Sequence, residues 1–207
     1  LISAHILPSV FYLKDTLWTL NDAHIEYLQA DTILHVHNFG MQSRSGKQFL
    51  RADGVVSAHK EDSIRIDFND FDLHYFLQYV GLENAVSVKG MASGWASLYA
   101  LFSQPMFEAN VRVPDAQLND MSLGYLTAQA SLDRGTNHIL IDADAVENNH
   151  TIAHVDGNVI PEEAYWELFI HADSANVQFI NFWTEGMIEN ITGRAFGDVH
   201  VFGRKLD

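Results

Sequence analysis

Eleven histidines in a 207-residue chain without a single cysteine narrow the available chemistry at once. Without thiols there is no disulfide, no Cys-ligated zinc and no thiolate nucleophile, and neither an oxidising nor a reducing compartment is indicated. Metal chemistry would have to rest on imidazoles and carboxylates. His35-Val36-His37 has a suitable spacing, because residues two apart in a strand point to the same side. A closed site needs further ligands, and nothing in the sequence brings His150 or His154 to that pair, so the two read as solvated histidines of a polar face. His24-Ile25-Glu26 matches half of the zinc-deaminase signature, whose PCxxC half is missing. No metal and no cofactor are expected.

Other residue patterns resolve in the same way. Ser93 lies in GMASG, which is GxxSG rather than the GxSxG of a nucleophile elbow, and the strand-turn-helix context is lacking. Asp67, Asn69, Asp70 and Asp72 make DFNDFD, but the order and terminal Glu of an EF-hand are absent. The cluster reads as a turn before a short helix, with acids favouring the helix N-terminus. Trp95, Tyr99, Tyr125 and Trp166 could form a sugar-stacking platform, or pack against neighbouring elements.

The elements that would position these residues emerge from composition and periodicity. The chain is 47% hydrophobic and 19% charged, enough for a sizeable core. Its 12 Lys and Arg against 27 Asp and Glu repel phosphate backbones, so nucleic acid is not an expected partner. The opening LISAHILPSVFYL lacks the basic flank and cleavage site of a signal peptide, and no apolar run approaches the roughly 18–20 residues that span a bilayer. The chain is expected to be an internal segment of a longer protein.

From about Thr16 onward, apolar and polar residues alternate in short, turn-bounded stretches such as MFEANVRVPDAQL, HILIDADAVE, HTIAHVDGNVI and YWELFIHADSA. Turn signals recur every ten residues or so, the rhythm of antiparallel strands in a meander. Two stretches break the rhythm: FDLHYFLQYVG (71–81) and VQFINFWTEGM (177–187) place apolar residues at helical spacing and end near a glycine, predicting short helical turns.

The two stretches, each with the strand just C-terminal to it, also correspond to one another. Val88, Gly90, Ala92, Gly94, Ala96, Leu98 and Ala100 align with Ile191, Gly193, Ala195, Gly197, Val199, Val201 and Gly203, 103 residues further on. Even steps place each set on one strand face, small or aliphatic in both copies. Repeat units are expected at about 66–101 and 169–204, within a single β-rich section spanning 1–207. A small face suits a strand that another element crosses closely, either the short helix or a lipid chain.

The helical turn, the (V/I)xGxAxGxxxL strand and the string of alternating strands resemble the AsmA-like and TamB-like proteins of the Gram-negative cell envelope. The likeness is strongest to the C-terminal portion of the TamB-like members, the inner-membrane component of the translocation and assembly module. The resemblance covers roughly 48–207 and rests on QFLRADGVVSAHKEDSIRIDF, FDLHYFLQYV, VKGMASGWASL, LGYLTAQASL, HVDGNVI and ITGRAFGDVHVFG. It implies an all-β fold: an elongated, strongly curved antiparallel sheet forming a trough with a hydrophobic interior and one or two short helices. It also implies a periplasmic portion of an inner-membrane-anchored protein, implicated in phospholipid transport and outer-membrane protein assembly with an outer-membrane assembly-factor barrel protein as partner.

On this reading the chain is not an enzyme. The nearest candidates for groove-lining residues are Val88, Gly90, Ala92, Gly94, Ala96 and Leu98, with Ile191, Gly193, Ala195, Gly197, Val199 and Val201. The alternatives are a β-sandwich module binding glycans or surface partners and, more distantly, a hydrolase using acidic residues.

Overall fold

A computed structural model describes residues 1–13, 15–59, 61–73, 88–118, 121–133, 136–160, 163, 165–177 and 192–204. The described residues are overwhelmingly strand. The first half holds β1 (Ile2–Ile6), β2 (Ser9–Leu13), β3 (Thr16–Leu20), β4 (Ala23–Leu28), β5 (Ile33–Ser43), β6 (Phe49–Val56) and β7 (Ser63–Asp72). The second holds β8 (Val88–Lys89), β9 (Met91–Tyr99), β10 (Met106–Leu118), β11 (Met121–Leu132), β12 (Ile139–Glu147), β13 (His150–Ile160), β14 (Tyr165–Asn176) and β15 (Arg194–Arg204). Hydrogen-bonded neighbours run β1-β4-β5-β6-β7-β9-β10-β11-β12-β13-β14-β15, with β2 on β3, β3 on β5 and β8 on β10. The fold is all-β, an antiparallel sheet that does not close. The helical stretches 71–81 and 177–187 lie outside the described residues beyond Leu73 and Val177.

Hairpins connect most neighbours because the turns have the necessary chemistry. Asn148 and Asn149, between β12 and β13, both have positive φ (50° and 66°), the conformation of a two-residue turn whose twist matches that of the strands. DFNDFD lies within β7 rather than forming a separate turn. Asp67 and Asn69 stand opposite Arg51 and Phe49, where pairing with β6 outweighs the local turn preference; that ladder ends at Asn69, and Asp70 takes a positive φ of 60°.

The chain forms two compact units, one of Leu1–Phe71 with Ser93–Asn110, the other of Asp72–Ala92 with Val111–Asp207. In the first unit the sheet bends over its own apolar side. Trp18 on β3 and Phe71 on β7 are three strand spacings apart, about 14 Å in a flat sheet, yet their ring centroids are 5.8 Å apart. Tyr27 on β4 likewise meets Phe102, just past β9, at 5.7 Å. Trp18, Ala23, Val56 and Ile64 are buried inside this bend. The buried side chains of the second unit are small or branched: Ala92, Val113, Ala116, Ala145 and Ile152.

Backbone features recur at a spacing of 103–104 residues. Gly54 corresponds to Gly157, and at both a Cβ would strike a carbonyl of the next strand, that of Ser63 or of Glu167. Asp70 and Ser174 share positive φ values of 60° and 75°, and a bulge marks the second position in the β14–β15 ladder. A side chain donates to each of these two carbonyls, Gln48 Nε2 to Asp70 at 3.0 Å and Arg194 Nη1 to Ser174 at 2.8 Å. The chain then returns through equivalent bonds, Leu73 N to Gly90 O (2.9 Å) and Val177 N to Gly193 O (3.2 Å). Gly90 and Gly193 hold φ of 144° and 133°, values that side-chain-bearing residues rarely adopt.

Candidate functional site

Strand register sorts the side chains of the second unit onto two chemically different faces. Residues directly opposed in an antiparallel ladder share a face, so the pairings can be followed from β11 to β15. One row reads Ala128, Ala143, Val155, Ile170, Val199, and the next reads Ala130, Ile141, Gly157, Leu168, Val201. The flanking rows, from Leu126 to Gly197 and from Leu132 to Gly203, are equally free of polar side chains. Four rows about 6.8 Å apart across five strands about 4.8 Å apart make a patch on the order of 400 Å². Pressed against a second layer these residues would be buried, but only Ala145 is; the rest are half-buried, and Gly197 and Val199 are exposed. A contiguous apolar face of this size is on the scale of the largest apolar patch of an ordinary monomer, a feature that is often functional.

The first unit obeys the same rule. Ala4, Ile25, Val36, Gly54 and Ile64 form one row from β1 to β7, and Ile2, Tyr27, Leu34 and Val56 another. Its opposite face carries His5, His24 and His37 in one row and Asp53 beside Arg65 in another.

The residues expected to line a groove are distributed unevenly. Gly197, Val199 and Val201 belong to the five-strand apolar face, and Ala195 continues it half-buried. Ala92 is buried, while Gly94, Ala96 and Leu98 are half-buried in β9. The even-step face of the first copy is interrupted, because the strand breaks at Gly90: Val88 belongs to β8, paired with Leu118, and β9 begins at Met91. Gly193 likewise precedes β15, and Ile191 lies outside the described residues. Gly90 clears space for Val113 of β10, whose Cγ1 would meet a Cβ there. At Gly197 a Cβ would meet nothing within 4 Å, and its φ of 136° supplies the requirement instead.

The opposite face of the second unit is acidic and rich in imidazole. Asp144, His154, His171 and Asp198 form one cross-strand row, with His154 Nδ1 donating to Asp144 Oδ1 at 2.9 Å and His171 Nδ1 to Asp198 Oδ1 at 2.6 Å. His154 Nε2 also lies 3.9 Å from Asp142 and 3.8 Å from Asp156. The bond to Asp144 raises the His154 pKa above 6.5; desolvation opposes it, and the charges of Asp142, Asp144 and Asp156 add to the rise. A group whose folded pKa is raised stabilises the fold fully below its unfolded value and loses that contribution as pH climbs through the folded value. His154→Gln is therefore expected to lower stability more at pH about 5.5 than at about 8.5. The difference should be at most about 1 kcal/mol, since the side chain is 36% exposed and solvent screens the pair. Urea unfolding of both proteins at the two pH values measures it.

His35 and His37 stack at 5.5 Å and face Glu26 and His24 across the ladder. Among the described residues neither joins a group of three metal-ligating side chains; the groups that form are His5, Asp22 and His24, and Asp142, Asp144 and His154. His5, Asp22, Asp142 and Asp144 belong to no ligand motif in the sequence. Strand alternation signals a shared face for Asp142 and Asp144, whereas His5 and His24 meet only through the pairing of β1 with β4. Ser93 Oγ accepts a hydrogen bond from Asp70 N at 3.0 Å. The four candidate platform aromatics do not gather: Arg65 lies over Trp95 at 4.5 Å, Tyr99 donates to Glu108, and Trp166 sits on the apolar face against Gly203.

No protein family, curated protein or solved structure matches this chain.

Proposed function

We propose that the chain is a non-enzymatic section of a TamB-like or AsmA-like envelope protein, and that its apolar sheet face shields the acyl chains of phospholipid in transit. The carrying observation is the uninterrupted apolar face of β11–β15, left half-open rather than sealed under a second layer. Each methylene moved from water onto such a surface gains about 0.8 kcal/mol, so shielding about ten of them, a large part of one acyl chain, supplies the roughly 8 kcal/mol of micromolar retention. The face needs no polar recognition groups for this task, which agrees with their absence from its four rows.

On this reading the section belongs to the periplasmic part of an inner-membrane-anchored protein and works with an outer-membrane assembly-factor barrel protein. Among the described residues no helix is long and apolar enough to cross a membrane. Mass spectrometry of the intact purified protein is expected to find bound phospholipid. Absence of lipid, together with thermal stabilisation by oligosaccharide, would overturn the reading in favour of a glycan-binding module.

A further inference from the structure

The polar face of the first unit carries a different chemistry: we propose that His5, Asp22 and His24 bind a divalent transition-metal ion. His5 on β1 and His24 on β4 are directly opposed, and their rings stack at 4.1 Å with planes 17° apart. Asp22 Oδ1 lies 3.0 Å from His5 Nε2 and 3.7 Å from His24 Nδ1, and the three donor atoms all fall within 4.8 Å of one another. Metal bonds of about 2.0–2.1 Å in a tetrahedron set donor atoms about 3.3 Å apart. The donor atoms are thus gathered near ligating distance, and at least one imidazole must turn out of the stack for both ring nitrogens to point at a single ion.

Two features favour a site over an ordinary ion pair. Asp22 Oδ1 is shared by both rings, and among the described residues His24 has no partner at hydrogen-bond distance. A cation between the three groups satisfies both imidazoles and the carboxylate together. Asp22 is also delivered from a braced backbone: Asn21 N donates to Gly40 O, and Asn38 Nδ2 donates to Asp22 O, each at 2.8 Å. Asn38 is held in turn, its own N–H donating to Asp53 Oδ2 at 2.8 Å. Such outer contacts fix ligands in place. All three ligating side chains are about half exposed, leaving room for ion entry and a water as fourth ligand. Two imidazoles and one carboxylate suit zinc, nickel or copper better than calcium or magnesium.

Zinc titration by calorimetry tests the site. One zinc ion per chain is expected, with affinity falling about tenfold or more in His5→Ala, His24→Ala and Asp22→Asn, and staying unchanged in His154→Ala. Zinc should raise the thermal midpoint of the wild type and not of the three variants, whose zinc-free midpoints confirm that they fold. Failure of the wild type to bind micromolar zinc, binding that survives both His5→Ala and His24→Ala, or binding lost in His154→Ala overturns the proposal.

Discussion

Valine in place of Gly54 is expected to destabilise the β6–β7 hairpin by about 2–5 kcal/mol, the sum of a strained backbone and an overpacked contact. Gly54 has φ of 134°, and any Cβ there meets the Ser63 carbonyl, a backbone atom that cannot swing aside as a side-chain tip can. The equivalent change at Gly157 meets the Glu167 carbonyl but needs no left-handed backbone, so about 1–3 kcal/mol is expected there. Amide hydrogen exchange resolves the two effects, since each should accelerate exchange in its own hairpin, β6–β7 or β13–β14. Equal costs at the two glycines would show that the backbone conformation at Gly54 contributes nothing.

Aspartate at both Val155 and Ile170 is expected to reduce co-purified phospholipid about tenfold or more, the equivalent of about 1.4 kcal/mol. The two residues are cross-strand partners at the middle of the apolar face, and both are half-buried, so carboxylates there reach solvent without unfolding the sheet. An acyl chain laid over that row would strip water from two charges, a cost of several kcal/mol. The matched control changes Ser131 and Asn158 to aspartate on the opposite face, adding the same charge. Lipid content should survive the control. Equal loss in both variants would point to net charge rather than the apolar face.

Several strands can be read directly from alternation. MFEANVRVPDAQL forms β10 from end to end, and HTIAHVDGNVI forms β13, because an apolar-polar period of two is itself the condition for a strand with one shielded face. IEYLQADTILHVHNF reads as one stretch but breaks into β4 and β5 around Ala30 and Asp31. DFNDFD misleads because its residues favour turns: the ladder with β6 holds Asp67 to Asn69 extended, and only Asp70 takes the left-handed conformation that such residues tolerate. β1 and β2 precede the alternation and are specified by their partners, β4 and β3.

By itself, the sequence determined the class of the fold, the apolar side of the alternating strands that follow β2, and the glycine spacing of about a hundred residues. Those properties are local: they depend on which residues alternate and on which positions tolerate no side chain. Only tertiary structure decided which strands are neighbours and in what register. Register is what merges separate alternations into one apolar face from Leu126 to Gly203, and what carries His5 across to His24 and Asp22. A one-residue slip in any ladder would send a strand's side chains to the opposite face, and its register is held by contacts between residues far apart in the chain.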